Sequence, residues 1–388
     1  PKENWDLYDR YGYFPCDVIK GESVSRTLEC AYNDACAARF AAALGQADAA
    51  AFFAKRAQNW KNVFDPSIRF ARGKTTKGTW RTPFDPYAFG HGDNRDNDFT
   101  EGNAFQYTWH VMQDVPGLVA AMGGRERFVE TLDALFTSPA RMERATSDIS
   151  GMIGQYVHGN EPSHHVIYFY PQVGHPEKAA ERVREVFDTQ YHVGPEGLCG
   201  NDDCGQMSAW YVFSAMGFYP FDPCGGEYVI GAPQVPRATL RLADGKAFTV
   251  VAKGLSKENK YVKSVTLNGR SVTDWKIRHA DIVKGGELVF EMAAVLSPTN
   301  ARVVQDAPGY NAWPMIQAFG TNLVCVYSRD SRLPADGHYI DPGSRDSYAR
   351  VSADGGRTWS AERVVAADSV VGEVNEGIGL DSTGAVLA

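Results

Sequence analysis

The stretch Gly200-Asn201-Asp202-Asp203-Cys204-Gly205-Gln206-Met207-Ser208-Ala209-Trp210-Tyr211 sets consecutive acids against the start of an apolar helical run. Two upstream stretches repeat the layout, Phe99-Thr100-Glu101-Gly102-Asn103-Ala104-Phe105-Gln106-Tyr107 and His158-Gly159-Asn160-Glu161-Pro162-Ser163-His164-His165. Any one such acid is accounted for as a helix cap, because it accepts from free N–H groups and faces the positive end of the helix dipole. Three in the same Gly- and Asn-rich setting read as a site.

The chain between these loops sets the architecture. The intervals from Glu101 to Glu161 and from Glu161 to Asp203 each hold one helix leaving the loop and one returning, so each acid opens a successive α-hairpin. Hairpins side by side with chemistry at one end describe a toroid of inner and outer helices. An open α-solenoid would share the periodicity, but its concave face binds protein and carries no acid loops. Helical periodicity punctuated by Gly and Pro predicts helices over residues 23–44, 49–64, 103–122 with a break at Pro116, 125–137, 163–170, 176–191 and 204–216. After Gly217 the pattern alternates as strands do. Residues 228–230, 238–242 and 247–252 read as strands with Asp244-Gly245 as a hairpin turn, and 262–267 and 271–275 pair around Asn268-Gly269. The text loosens into a linker near 292–299, and a second β-region follows.

The chain has 388 residues, 44% of them hydrophobic, enough for two or three cored domains. Its net charge of -8, with bases scattered among acids, argues against nucleic acid or an anionic membrane surface as partner. No apolar run is long enough to span a bilayer. No signal peptide is visible, and the start at Pro1 suggests that the natural N-terminus lies upstream. Seven cysteines form no CxxC pair. Cys199 and Cys204 flank the acid loop and read as small buried thiols ahead of a local disulfide, since an odd count cannot pair completely.

Two carboxyl groups across a pocket suit glycosidic cleavage, in which one protonates the leaving oxygen and the other attacks or activates water. Phe105, Gln106, Tyr107, Trp109, His158, His164, His165 and Trp210 lie beside the acids and could wall such a pocket, although Trp210 and Phe213 read first as core. Asn160, Glu161, Asn201, Asp202 and Asp203 offer the clustered oxygens that calcium takes, against the plainer reading of solvated acids. An EF-hand frame over 93–101 fails for want of its Gly. Zinc spacing, a phosphate-binding Gly loop and a GxSxG elbow are also missing from the sequence.

The segments Gly12-Tyr13-Phe14-Pro15, Ser23-Val24-Ser25-Arg26-Thr27-Leu28-Glu29, Thr100 to Tyr107, His158 to His165 and residues 200–220 together resemble glycoside hydrolase family 92. The resemblance covers about residues 1–293. It implies a calcium-dependent, inverting exo-α-mannosidase acting on mannose-containing glycans, located in the periplasm or outside the cell. It further implies an (α/α)6 catalytic barrel with a small C-terminal β-element, preceded in complete members by a β-sandwich that lines the pocket. Carried over by position, Glu101 is the general acid and Asp203 the general base. Family members often have Asp where this chain has Asn201, whose amide cannot take a proton from water. Asn160 and Glu161 match the loop framing the calcium and the sugar, while Gln106, His158, Asn201 and Asp202 are expected to bind substrate.

The tail resembles another family. Ser352-Ala353-Asp354-Gly355-Gly356-Arg357-Thr358-Trp359 fits the Asp-box turn of sialidase-like β-propellers, supported by Asn311-Ala312-Trp313-Pro314 and Tyr348-Ala349-Arg350-Val351. The expected chain is therefore mainly α: residues 1–220 the back half of the barrel, 221–293 a small β-domain and 294–388 an incomplete propeller. Alternatives are a glycan-binding or inactive fragment, or sialidase activity in the propeller. A toroid lacking its first hairpins should also expose Val24, Leu28, Ala31 and Ala35 and be poorly stable alone.

Overall fold

The computed structural model describes residues 4–91, 97–141, 145, 149–294, 310–319, 322–330, 345–352, 359–366, 379–380 and 386–387. The chain divides into two compact units, Pro1–Leu296 and Ser297–Ala388.

In the first unit a short helix α1 (Trp5–Tyr11) precedes the long α2 (Ser23–Ala43), which α3 (Ala47–Arg56) and a 3-10 turn (Ala57–Asn62) close against one face. That face carries Val24, Leu28, Ala31 and Ala35, and all four are buried. The exposure expected of them is not found: Val24, Leu28 and Ala31 share one cluster with Trp60, Val63, Phe64 and the aromatic residues after Phe99, and Ala35 is buried beside them in sequence. A small hairpin, β1 (Phe64–Asp65) and β2 (Phe70–Ala71), leads into the loop that carries Glu101.

The segment expected as one helix over 103–122 is broken. It forms α4 (Ala104–Tyr107), a 3-10 turn (Met112–Asp114) and α5 (Val115–Ala121). The break falls before Pro116, which sits in the first turn of α5 where its missing N–H costs nothing, and Asp114 caps that turn through the Gly117 N–H at 2.9 Å. Helix α6 (Arg125–Thr137) matches the sequence expectation. A tight hairpin, β3 (Met152–Ile153) and β4 (Tyr156–Val157), then presents the Glu161 loop. Residues 161–172 run as two 3-10 turns followed by α7 (Phe169–Gln172), and α8 (Pro176–Gln190) returns. Asp133 of α6 ties the three together, accepting from Tyr170 at 2.8 Å and from Lys178 at 2.7 Å.

Helix α9 (Gln206–Met216) ends at left-handed Gly217 and feeds β5 (Phe218–Asp222), which pairs with β6 (Glu227–Ile230). The five-stranded sheet that follows contains β7 (Arg237–Arg241), β8 (Ala247–Lys253), β9 (Tyr261–Leu267), β10 (Arg270–Ser271) and, past β11 (Lys276–Arg278) and α10 (His279–Ile282), β12 (Gly286–Ala293). Its order is β10-β9-β12-β8-β7. Left-handed Asn268 and Gly269 make the expected turn, but only Arg270 and Ser271 pair back. The partner for β8 and β9 is β12, which inserts between them, parallel to β8. This sheet shares a core with Met216 and Phe218 at the end of α9.

In the second unit β13 (Tyr310–Phe319), β14 (Asn322–Asp330), β15 (Arg345–Ser352) and β16 (Arg363–Ala366) form an antiparallel meander in sequence order. The Asp box begins at Ser352 and ends at Trp359, between β15 and β16, and its residues 353–358 lie outside the described residues.

Candidate active site

Three loops converge on one cavity of about 370 Å³ at the ends of α4, the 161–163 turn and α9. Each is anchored by backbone contacts that its small and amide residues make possible. The Glu101 loop docks on the start of α2, where Val24 and Ser25 donate to the Asp98 carbonyl at 2.9 and 3.2 Å. The Thr100 N–H donates to Ser25 Oγ at 2.9 Å. Asn103 and Gln106 then cap α4 reciprocally, with the Asn103 N–H donating to Gln106 Oε1 at 2.7 Å. The Glu161 loop joins the first directly, since Asn160 Nδ2 donates to the Glu101 carbonyl at 2.8 Å.

The third loop meets the second through glycines. A Cβ at Gly200 would lie 2.7 Å from the Gly159 carbonyl oxygen and 2.8 Å from its Cα, so the backbones approach as no side chain would allow. Glu101 and Asp203 both hold left-handed backbone, at φ 47° and 45°, and Cys204 and Gly205 continue the left-handed run. Such conformations cost a non-glycine residue about 1–3 kcal/mol and persist where surrounding contacts impose them.

The acids are close enough to sense one another. Glu101 and Glu161 line the cavity, while Asp203 is exposed and outside its lining, near enough for its carboxylate to act on that of Glu161. Partial desolvation, then the Asp203 and Glu101 carboxylates, hold the Glu161 carboxyl above the usual range. Glu101 Oε1 lies 3.5 Å from His91 Nδ1. Tyr107, His110, Tyr219, Phe221 and Pro162 build an aromatic and apolar wall.

Of the residues expected to bind substrate, Gln106, His158, Asn201 and Asp202 stand away from the cavity lining. Gln106 spends its amide on the α4 cap and on the Gln155 carbonyl. His158 is wholly buried, bonded to the Tyr156 hydroxyl at 2.9 Å and the Tyr191 hydroxyl at 2.7 Å, and burial pushes its pKa well down. Asp202 caps α9 through the Ser208 N–H at 2.9 Å, and Asn201 faces solvent. His164 and His165 do reach the cavity, but each donates its Nε2–H to a backbone carbonyl, that of His158 at 2.8 Å and of Trp109 at 2.9 Å. Burial lowers them to about 4 and about 3. Trp210 is core, its indole donating to the His164 carbonyl at 2.9 Å.

Sequence reasoning gave no role to Glu29, His110 or Tyr219, which all line the cavity. Glu29 Oε1 lies 3.4 Å from His110 Nε2. The available signal was a charge one step beyond the buried Val24 and Leu28 stripe of α2. All seven cysteines are free thiols, and Cys204 is exposed where a buried thiol was expected. Among the described residues no three His, Cys, Asp or Glu side chains group as a metal cage.

Residues 1–294 match the model of the glycosyl hydrolase family 92 catalytic domain. A family GH92 alpha-mannosidase of Bacteroides thetaiotaomicron, solved in complex with mannoimidazole, is 40% identical and superposes with a TM-score of 0.71 over 76% of this chain and 39% of its own. A family GH92 inverting mannosidase of the same organism is 38% identical, with a TM-score of 0.67 over 76% of this chain and 40% of its own. An uncharacterized secreted glycosidase of Arthroderma benhamiae is 30% identical over 291 residues, which are 70% of this chain and 35% of that protein. The chain thus spans well under half the length of the relatives it matches.

Proposed function

Because the chain belongs to glycosyl hydrolase family 92, we propose that its cavity binds a terminal α-linked mannose and that the protein releases it from glycans with inversion. The observation that carries this is that Glu101 and Glu161, from two separate loops, line one aromatic-walled cavity, with Asp203 of the third loop close enough to act on the Glu161 carboxyl. Its size suits a single sugar ring.

In this reading the protonated Glu101 carboxyl gives its proton to the glycosidic oxygen as the bond to C1 breaks. Asp203 takes a proton from the water that attacks C1 from the opposite face, leaving β-mannose and the free alcohol. An inverting pair holds its carboxyl groups about 6.5–9.5 Å apart to admit that water. The left-handed backbone at both residues fixes where the two carboxyls start from, supplying preorganisation.

Calcium fits the donor set. Asn160 spends its amide nitrogen on the Glu101 carbonyl, which leaves its oxygen as the group able to face a cation, beside a Glu161 carboxyl crowded by like charge. Asn160 and Glu161 would hold the ion, with water and sugar hydroxyls completing the oxygen shell. Bound there, calcium would orient two adjacent hydroxyls and favour ring distortion.

The succession of short buried segments after each acid and longer returning helices supports an (α/α)6 arrangement over 1–220 with its β-domain over 221–293. The sequential four-stranded meander, with the Asp box between its third and fourth strands, supports a sialidase-like blade in 294–388. The secreted relative supports a destination outside the cytoplasm, and a β-sandwich elsewhere in the whole protein would complete the pocket.

Replacement Glu101→Gln in the whole protein should lower turnover of natural mannosides by about 10²–10⁴-fold and spare aryl mannosides with activated leaving groups, which need no protonation. Equal loss on both would sink the acid assignment. Chelation should remove activity and added calcium restore it, and full activity after exhaustive chelation would remove the metal from the scheme.

A further inference from the structure

Tyr32, Cys36 and Arg39 lie along one stripe of α2, spaced as neighbours on a helix face. All three meet residues 222–224, the turn after β5. Tyr32 donates to Asp222 Oδ1 at 2.9 Å and accepts from the Cys224 N–H at 3.4 Å. Arg39 grips both oxygens of Asp222, at 2.9 and 2.6 Å. Cys36 lies between these clamps on α2, close enough for its thiol to interact with that of Cys224.

We propose that Cys36 and Cys224 form a disulfide that pins this turn to α2. The turn is part of the cavity wall: Pro220, Phe221 and Pro223 line the proposed sugar site, and Asp222 and Gly225 line a neighbouring cavity of about 500 Å³. The bond would join positions far apart in sequence through clamps that already hold the two thiols together, so closure demands little rearrangement.

The chemistry needs a disulfide oxidant of low molecular weight, such as oxidised glutathione. Exposed Cys224, as thiolate, attacks one glutathione sulfur and releases the other glutathione as a thiolate. The Cys36 thiolate then attacks the Cys224 sulfur of the mixed disulfide, and the second glutathione leaves. Two protein thiols are oxidised and one glutathione disulfide is reduced to two glutathione thiols. Cys224 is exposed and Cys36 only partly so, which makes Cys224 the thiol that starts the exchange.

The test equilibrates the whole protein in an oxidising glutathione buffer, alkylates free thiols and maps peptides without reduction. A Cys36–Cys224 linked peptide should dominate, with melting raised by on the order of 5 °C and restored by dithiothreitol. Cys224→Ser should abolish both the link and the shift, whereas Cys204→Ser, at another exposed thiol, should leave both. Full alkylation of Cys36 and Cys224 in the unsubstituted protein, or linkage of either to a different cysteine, would overturn the proposal. The map is read without any mannosidase assay, so it stands apart from the catalytic reading.

Discussion

Helices α6 and α8 are regular and bury one face each, through Phe128, Leu132, Leu135 and Phe136 in the first and Ala179, Ala180, Val183 and Val186 in the second. The stretch between them is the opposite case. Residues 166–170 are all buried, yet they run as one 3-10 turn and the start of the single-turn α7. Here side chains carry part of the hydrogen bonding that a regular helix keeps within its backbone, as when His164, His165 and Trp210 pair with backbone carbonyls. Regular helices supply the frame, and irregular buried backbone brings the acid loops together.

That contrast sets where the protein should fail first. The largest effect expected is on acid stability. His158, His164 and His165 are neutral and buried, so the unfolded chain binds protons that the folded one excludes. Their contribution is complete above the ordinary histidine value of 6.5 and is lost as pH falls toward about 4. Each costs up to about 1.4 kcal/mol per pH unit in that window, several kcal/mol for the trio. Urea unfolding across the range checks it, and a flat profile would show that the irregular core is not closed to protons.

In the regular frame, Leu132→Ala should cost about 2–5 kcal/mol in the same assay, as for a large side chain removed from a packed core. Its KM should hold. At the loop junction, Gly200→Ala should act the other way round, forcing the Gly159 and Gly200 backbones apart and lowering kcat by about 10²-fold. Equal losses of stability in the two variants, with unchanged kcat in the second, would erase the distinction between frame and junction.

The smallest effect concerns Glu161. Its carboxyl is raised in the folded state, so ionising it costs stability, a cost that accumulates as pH rises from the ordinary carboxylate range through the raised value. Glu161→Gln without metal should therefore raise Tm at neutral pH by ~1–2 °C, modest because the group reaches solvent. The gain should vanish at acid pH, where both forms are neutral.

What was legible in the sequence follows from how locally each feature is specified. Helix α6 was read to its ends because one buried face leaves a clear period in the text. Over 163–170 total burial erases that period, and the chain was read as one plain helix. Strand β12 went unassigned because its partners β8 and β9 were read as locally paired hairpins, while the sheet inserts a distant strand between them. Glu101, Asn160 and Glu161 were legible as members of Gly- and Asn-rich acid loops.

The sequence by itself determined that acids recur before helices, that a helical half precedes strands, and which family these motifs resemble, since composition and spacing are properties of neighbours along the chain. Tertiary structure decided which polar residues are spent internally. Gln106 and Asp202 close helix ends, and His158 is sealed between two tyrosines, while Glu29 and His110 open onto the cavity. An amide or imidazole reads the same whether it faces substrate or backbone. Only packing fixes its hydrogen-bond partner, because a buried polar group left without one costs about 1–3 kcal/mol.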